Sequence, residues 1–393
     1  VPRLWLKRGR EKGIKEGYLW IHPSDVEKIS PSAQDGAAVD VVDSKDRFLA
    51  RALLNRRSPI VARIFSREKR PWGSDLVLSR LKRAIERRER WGISKEAFRV
   101  CYGESDGLPG LVVDKYAQVA VIQISHPALE PMKQEIARGL KEMLDLAAVY
   151  EKSDTPARAQ EGLSASKGVL LGSLPREIRI SEGDVHFLLD IEEGQKTGHY
   201  LDQRPNRMRV GAMANGKEVL DLFSYTGGFG LHCLANGAER VVFVDSSASA
   251  LKIARVNVET LGAEGRAEFL EGNCFDILRQ MERQGRTFDM VCLDPPAFAP
   301  SKSSLPNATK GYKELNLRAL KILRKGGILV SCSCSSHLPV GLHLDIIVEA
   351  SADARCQTVL LHQWGQGLDH PVLPGHPPSR YLKCHVLELA ETI

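Results

Sequence analysis

Over residues 1–72 the apolar positions fall in short runs with a period near two. They occupy Ala38–Val42, Phe48–Leu54 and Ile60–Phe65, and Gly, Pro, Asp and Ser separate them. Runs of this length and spacing predict strands joined by tight turns, as in a small β-barrel. Pro71-Trp72-Gly73 breaks the pattern, and Ser74 or Asp75 can cap a helix running to about Trp91. Val77, Leu78, Leu81, Ala84 and Ile85 form one apolar stripe on that helix. Arg80, Arg83, Arg87 and Arg90 lie away from most of the stripe, as either a solvated face or a track for phosphates.

Residues 98–180 predict a compact α+β unit. Phe98–Tyr102 and Leu111–Asp114 flank the turn Gly103-Glu-Ser-Asp-Gly-Leu-Pro-Gly110, Val119–Ile124 offers a further strand, and Pro131–Leu144 has helical spacing. The polar stretch Arg158–Lys167 predicts a loop. From about Val185 strand and helix patterns alternate. Val219–Phe223, Val241–Asp245, Ala267–Leu270, Phe288–Asp294 and Gly327–Ser331 are strand runs, with Ala248–Leu261 and Tyr312–Arg324 among the helices between them; Gly326-Gly327 supplies a stop for the last helix. This alternation predicts a doubly wound, mostly parallel sheet. Three domains follow: 1–72, 73–184 and 185–393.

Composition changes the picture in two places. The net charge of +6 is unevenly spread: residues 1–100 hold 24 Lys+Arg against 13 Asp+Glu, so +11 sits in front of a remainder of −5. A basic front on a mildly acidic body suits a polyanion partner, though a solvated surface has the same composition. The eight cysteines form no CxxC pair, which favours reduced thiols in a cytoplasmic protein and argues against zinc. No apolar run approaches the ~20 residues of a membrane span, and Val1 to Arg10 lack the apolar stretch of a secretory leader.

The chemistry concentrates at strand ends. Val219–Phe223 runs into Ser224-Tyr225-Thr226-Gly227-Gly228, a glycine turn that opens a helix and leaves amides facing a ligand. Asp245 closes the next strand, where an acid can accept both hydroxyls of a ribose. Asn273, in Glu271-Gly272-Asn273-Cys274-Phe275, can bond the edge of an adenine. Leu293-Asp294-Pro295-Pro296 is a rigid turn, because each proline fixes its own φ and extends the residue before it. It presents Asp294 at the carboxyl edge of the sheet. In Ser331-Cys332-Ser333-Cys334, Cys332 still lies within the strand pattern and is expected buried; Cys334 lies past it, where a thiol can act as a nucleophile.

This series resembles the S-adenosylmethionine-dependent methyltransferases, and more closely the RlmI-type ribosomal RNA cytosine carbon-5 methyltransferases. The resemblance spans nearly the whole chain, through Gly103–Gly110, Lys196–Arg204, Phe223–Gly228, Asp294-Pro-Pro296, Gly311-Tyr-Lys313, Ser333-Cys-Ser335, Asp369-His-Pro371 and Tyr381-Leu-Lys383. It implies an N-terminal PUA barrel that grips RNA, a central α+β domain and a C-terminal Rossmann-like domain. It implies S-adenosylmethionine as cofactor, held by Phe223, Ser224, Tyr225, Thr226, Gly227 and Gly228, by Asp245 and Ser246, by Asn273 and Cys274, and by Tyr200 and Arg204. Lys196 and Arg204 either reach substrate phosphate or cofactor carboxylate, or only pin a hairpin. The implied reaction forms 5-methylcytosine in large-subunit rRNA, with Cys334 attacking the base and Asp294 stabilising the charge that develops. No metal and no membrane are expected, and a homodimer is left open. Two positions depart from the pattern: Asn273 stands where an Asp is more usual, and Ala297 where many RNA cytosine methyltransferases carry a second cysteine. The rival readings are an amino-group methyltransferase working through Asp294-Pro-Pro-Ala-Phe298, and a non-catalytic RNA-binding assembly factor.

Overall fold

The computed structural model describes residues 1–93, 95–299 and 301–390. The chain forms two compact units. The first comprises Val1–Ile178, Asp190–Leu201 and Leu368–Ser379, and the second Arg179–Leu189, Asp202–Gly367 and Arg380–Ile393.

The first unit holds two sheets. Strands β1 (Arg3–Leu6), β2 (Trp20–Ile21), β3 (Val26–Ile29), β4 (Ala38–Val42), β5 (Phe48–Leu54) and β6 (Ala62–Ser66) pair in the order β2-β6-β5-β4-β1-β3, with helix α1 (Glu11–Lys15) between the first two in the chain. Leu4, Leu6, Val39, Val41, Ala50, Ala52 and Ile64 point to one side and form its core. Helix α2 (Ser74–Arg90) follows, then β7 (Ala97–Tyr102), β8 (Leu111–Tyr116), β9 (Val119–Ile124), helix α3 (Lys133–Leu144), β10 (Ala148–Ser153), helix α4 (Pro156–Gln160) and β11 (Ser166–Gly172). These five strands pair in the order β11-β10-β9-β8-β7. The apolar stripe of α2 packs on them through Val77, Leu81 and Ile85. The stretch 158–167, expected as loop, carries the end of α4 and the start of β11. That strand is an edge strand paired with β10 and has no fully buried residue, so no apolar alternation marks it.

The turn between β7 and β8 is built on carboxylates. Glu104 accepts from Arg63 and from the Trp20 indole, both at 2.7 Å. Asp106 takes the buried Arg88 guanidinium on both oxygens, at 2.6 and 2.8 Å, and the Tyr102 amide at 2.7 Å. Gly107 has φ +73°, and a Cβ there would meet the Arg80 guanidinium at 3.2 Å.

The second unit opens with the hairpin β12 (Ile178–Glu182) and β13 (Val185–Leu189), followed by helix α5 (Arg204–Gly211). Then come β14 (Glu218–Leu222), α6 (Gly228–Ala235), β15 (Arg240–Asp245), α7 (Ala248–Leu261), β16 (Ala267–Glu271), α8 (Cys274–Arg283), β17 (Phe288–Leu293), α9 (Leu305–Lys321), β18 (Leu323–Ser333), α10 (Val340–Asp353), β19 (Thr358–Trp364) and β20 (Lys383–Leu389). The sheet order is β16-β15-β14-β17-β18-β20-β19, and β20 runs antiparallel to both neighbours. Its central strands are buried on both faces, which is why they read as continuous apolar runs. Two expectations need correction. Helix α9 ends at Lys321, before Gly326-Gly327, and starts earlier than Tyr312, with Pro306 in its first turn. The glycine pair lies inside β18, where Gly326 takes φ +70°.

Strand order reverses between β14 and β17, which diverge to opposite halves of the sheet. In sheets of this kind a ligand crevice opens outside the carboxyl ends of such strands.

Candidate active site

Two turns leave the sheet at this crevice. After Leu222 the chain passes through Phe223 (φ +61°), Tyr225 (φ +49°) and Gly227 (φ +94°) before α6 begins. Left-handed backbone at two non-glycine residues is unfavourable, so the surroundings must hold it. They do so by backbone bonds. The Ser224 amide donates to Val244 O at 3.0 Å, and the Tyr225 amide to the Asp245 carboxylate at 2.8 Å. The other Asp245 oxygen accepts from the Ser247 amide at 2.8 Å, while Ser246 beside it is exposed. The Asn257 side chain donates to Thr226 O at 3.1 Å. The turn cannot fill out. A Cβ on Gly228 would lie 2.8 Å from Arg207, and one on Gly230 would lie 2.2 Å from the Phe243 ring. The Ser224 hydroxyl is buried without a hydrogen-bond partner, a polar group left for a ligand to satisfy.

Asp221 lies beneath the turn, fully buried, and accepts from the Gly230 amide at 2.8 Å. Burial pushes its carboxyl up to about 7; the Asp294 and Asp245 charges add to the rise and the Gly230 amide opposes it.

Asn273 caps α8, its side-chain oxygen accepting from the Phe275 amide at 2.9 Å. One lone pair of the atom expected to meet an adenine is thus engaged by the helix. Cys274 packs into the core with Leu278 and Val244, and burial pushes its thiol up to about 12. The Phe223 amide bonds its sulfur, and the Asp245 and Asp221 charges act on it.

Asp294 follows β17. It accepts at 3.0 Å from Gln203, which in turn accepts at 2.8 Å from the buried Asn206. The register pairs Leu293 with Ser331, which sets Asp294 beside Cys332. Cys332 is buried, and burial drives its thiol well up. Cys334, one residue beyond β18, is partly exposed. Lys383 lies nearby, its ammonium donating to Ser335 O at 2.5 Å and Tyr381 O at 2.7 Å. Burial pulls Lys383 down to about 8, and the charge of a Cys334 thiolate draws it back up. Tyr312, on α9, ties the strand end together. Its hydroxyl accepts from Ser333 at 2.8 Å and bonds Ser335 at 3.0 Å.

The second unit holds Phe223–Gly228, Asp245, Ser246, Asn273, Cys274, Asp294, Cys334 and Arg204, which occupies the first position of α5. Tyr200 belongs to the first unit, where its hydroxyl donates to Gln195 at 2.5 Å and Lys196 lies 4.2 Å from its ring centre. Gln203 and Tyr312 lie within the stretches Lys196–Arg204 and Gly311-Tyr-Lys313 but were given no role there, and Asn206 was not singled out, since a lone amide or phenol carries no spacing signal. Among the described residues no helix is long and apolar enough to cross a membrane, and no group of three His, Cys, Asp or Glu is arranged around a metal position.

Residues 155–384 match the family model of S-adenosylmethionine-dependent methyltransferases, and residues 4–67 match a PUA-like domain. A protein of Aeromonas salmonicida named Ribosomal RNA large subunit methyltransferase I is 38% identical over 387 residues, covering 97% of each chain. Its namesake from Yersinia pestis is 36% identical over 394 residues, covering 98% of this chain and 99% of its own. In fold, the chain is similar to a protein of Streptococcus mutans described as a candidate SAM-dependent methyltransferase (22% identical, TM-score 0.85, 99% of this chain and 100% of that one). It is equally similar to a candidate methyltransferase solved with S-adenosylhomocysteine (22% identical, TM-score 0.86, the same coverage).

Proposed function

The chain belongs to the S-adenosylmethionine-dependent methyltransferase family, and from that premise we propose that it methylates carbon 5 of a cytosine in large-subunit ribosomal RNA, using Cys334 as nucleophile. The name carried by its relatives supports the choice of RNA.

The glycine turn suits the donor. Its tight glycines admit a ligand close to the backbone, and the Ser224 hydroxyl awaits a partner. Asp245, set by two amides, keeps lone pairs for the ribose hydroxyls. When bound, the donor supplies the electrophilic methyl group that carbon 5 accepts.

Carbon 5 of an intact cytosine is a poor nucleophile. The Cys334 thiolate adds to carbon 6, a carbon–sulfur bond forms, and the ring's electron pair shifts toward carbon 5 and the ring nitrogen. Lys383 favours the thiolate while it carries its proton. Asp294, oriented by Gln203, shares a proton with the ring nitrogen and offsets the charge arriving there. After methylation the ring nitrogen returns its proton to Asp294, the carbon-5 proton passes to solvent water, its electron pair rebuilds the double bond, and Cys334 departs as thiolate. The base must come out of any stack to enter, at about a few kcal/mol, and phosphate contacts to the basic first hundred residues offset that cost.

The observation that carries this reading is the contrast along β18: Cys332 sealed in the sheet, Cys334 two residues on and accessible beside an ammonium. The test is Cys334→Ala with ribosomal RNA as substrate. Turnover is expected to fall on the order of a thousandfold or more while S-adenosylhomocysteine binding persists. RNA bearing 5-fluorocytosine should form a denaturation-resistant adduct with the native protein and none with the variant. Retained turnover in Cys334→Ala would redirect the reading to methylation of an amino group through the Asp294 turn.

A further inference from the structure

The Gly103–Gly110 turn takes no part in the chemistry above, yet it sorts the arginines of the first unit into two classes. Arg63, Arg87 and Arg88 are matched to carboxylates. Arg63 meets Glu104 at 2.7 Å and Glu161 at 2.6 Å, and Arg87 and Arg88 share Asp106. Arg80 is treated differently. Its guanidinium lies against Gly107, donates to the Gly107 carbonyl at 2.5 Å and sits 5.8 Å from the Phe65 ring centre, with no ion pair to a described carboxylate. Arg83, one turn on along α2, and Arg67, just past β6, likewise form no ion pair with a described carboxylate. All three line one groove of about 320 Å³ between the end of β6 and α2. The two acids at its wall are already engaged, Glu104 by Arg63 and Glu68 by Arg70.

Positive charges gathered without counter-charge are unfavourable. Burial pulls Arg80 down to about 10, with the charges of Arg83 and Arg70 adding to the fall, and burial alone lowers Arg67. The fold gives Arg87 and Arg88 a carboxylate and leaves Arg67, Arg80 and Arg83 lining one groove without one. A bound anion would relieve the repulsion, and a guanidinium fork matches phosphate oxygens in geometry.

We propose that Arg67, Arg80 and Arg83 form a seat for the phosphodiester backbone of the RNA substrate, distinct from the pocket that takes the target base; this rests on the reading of the chain as an RNA methyltransferase. The seat narrows the arginine face of α2 to its amino-terminal half. Arg87 is tied to Asp106 within the turn, and Arg87 and Arg90 both lie outside the groove.

The test is fluorescence anisotropy of a labelled large-subunit RNA fragment with the full chain, across a series of potassium chloride concentrations. Arg67→Gln/Arg83→Gln removes two charges that no described carboxylate pairs. Arg80→Lys keeps a charge but loses the fork, and Arg87→Gln/Arg90→Gln removes the same number of charges from the same helix outside the seat. S-adenosylhomocysteine binding, measured by calorimetry, reports that each variant is folded. For Arg67→Gln/Arg83→Gln the slope of log K against log salt should fall by about 1.4–1.8, and affinity at low salt by roughly tenfold or more. Arg87→Gln/Arg90→Gln should change the slope by less than half as much, and Arg80→Lys should weaken binding with the slope nearly intact. If the native chain binds RNA and both double variants lose equally, or neither loses, the seat is refuted while the function stands. If the native chain binds protein or lipid but no RNA, the functional reading itself fails, and the seat with it.

Discussion

Two glycine-rich turns follow strands in this chain, and they use their carboxylates in opposite ways. In the turn from Gly103 to Gly110, Glu104 and Asp106 are consumed by guanidinium groups. In the turn from Phe223 to Gly228, the acids beneath and beside it, Asp221 and Asp245, are held by backbone amides alone. A carboxylate paired with a buried cation locks structure, because neither partner can be left alone in a dry interior. A carboxylate held only by amides is committed to no cation and keeps spare lone pairs for a ligand. The first turn is a clamp that leaves selected arginines outside it; the second is a cradle.

The contrast is broken most directly at Asp106. Asp106→Ala strands the Arg88 guanidinium, which is almost fully buried, and should cost about 3–5 kcal/mol in urea unfolding. A loss under about 1 kcal/mol would mean that the Arg99 and Asp369 carbonyls, which also accept from Arg88 at 2.8 Å, satisfy it unaided. The second way uses pH. With its carboxyl raised to about 7, Asp221 keeps its proton in the folded chain over a range where the unfolded chain has lost it. Its contribution to stability is therefore greatest below about pH 4 and declines as pH rises toward 7, by on the order of a few kcal/mol. The stability difference between native protein and Asp221→Asn, followed by urea unfolding from pH 4.5 to 7.5, should move steadily in favour of the variant. A flat difference would show Asp221 to be ionised throughout. The smallest effect comes from the glycines. Gly230→Ala forces a methyl into the Phe243 ring and should cost about 1–3 kcal/mol in thermal or urea unfolding. Gly107→Ala meets only the movable end of Arg80 and should cost about 1 kcal/mol, chiefly for its left-handed backbone. Equal losses would remove the distinction between a rigid cradle and a yielding clamp.

What the chain shows in its residue order follows the strength of the local signal. Ala38–Val42, Phe48–Leu54, Val119–Ile124 and Ala248–Leu261 are found at the expected bounds, because buried faces impose a period that reads directly. The strand Ser166–Gly172 carries no such period, as it is an edge strand with no fully buried residue. Gly326-Gly327 misleads because a glycine that ends a helix and one that bends a strand look alike in one dimension. At the site, the expected contrast between Cys332 and Cys334 matches their burial, since both follow from position relative to one strand end. Cys274 begins a helix directly after Asn273, and its side chain is buried in the core cluster that no local spacing marks. The bonds of Gln203 to Asp294, Asp106 to Arg88 and Lys383 to the backbone beside Cys334 join residues far apart in the chain, and no spacing rule reaches them.

The first unit is closed by a segment translated long after the rest of it. Asp369 accepts from the Arg99 amide at 3.0 Å and offers its carbonyl to Arg88, and Gly375 packs directly on the backbone of Gly17. A nascent chain therefore exposes both early sheets while the last contacts of their unit are still unmade, until Leu368–Ser379 leaves the ribosome. Vectorial synthesis thus delays completion of the first unit until nearly all of the second exists, so a prematurely stopped product carries the arginines without the segment that completes their scaffold.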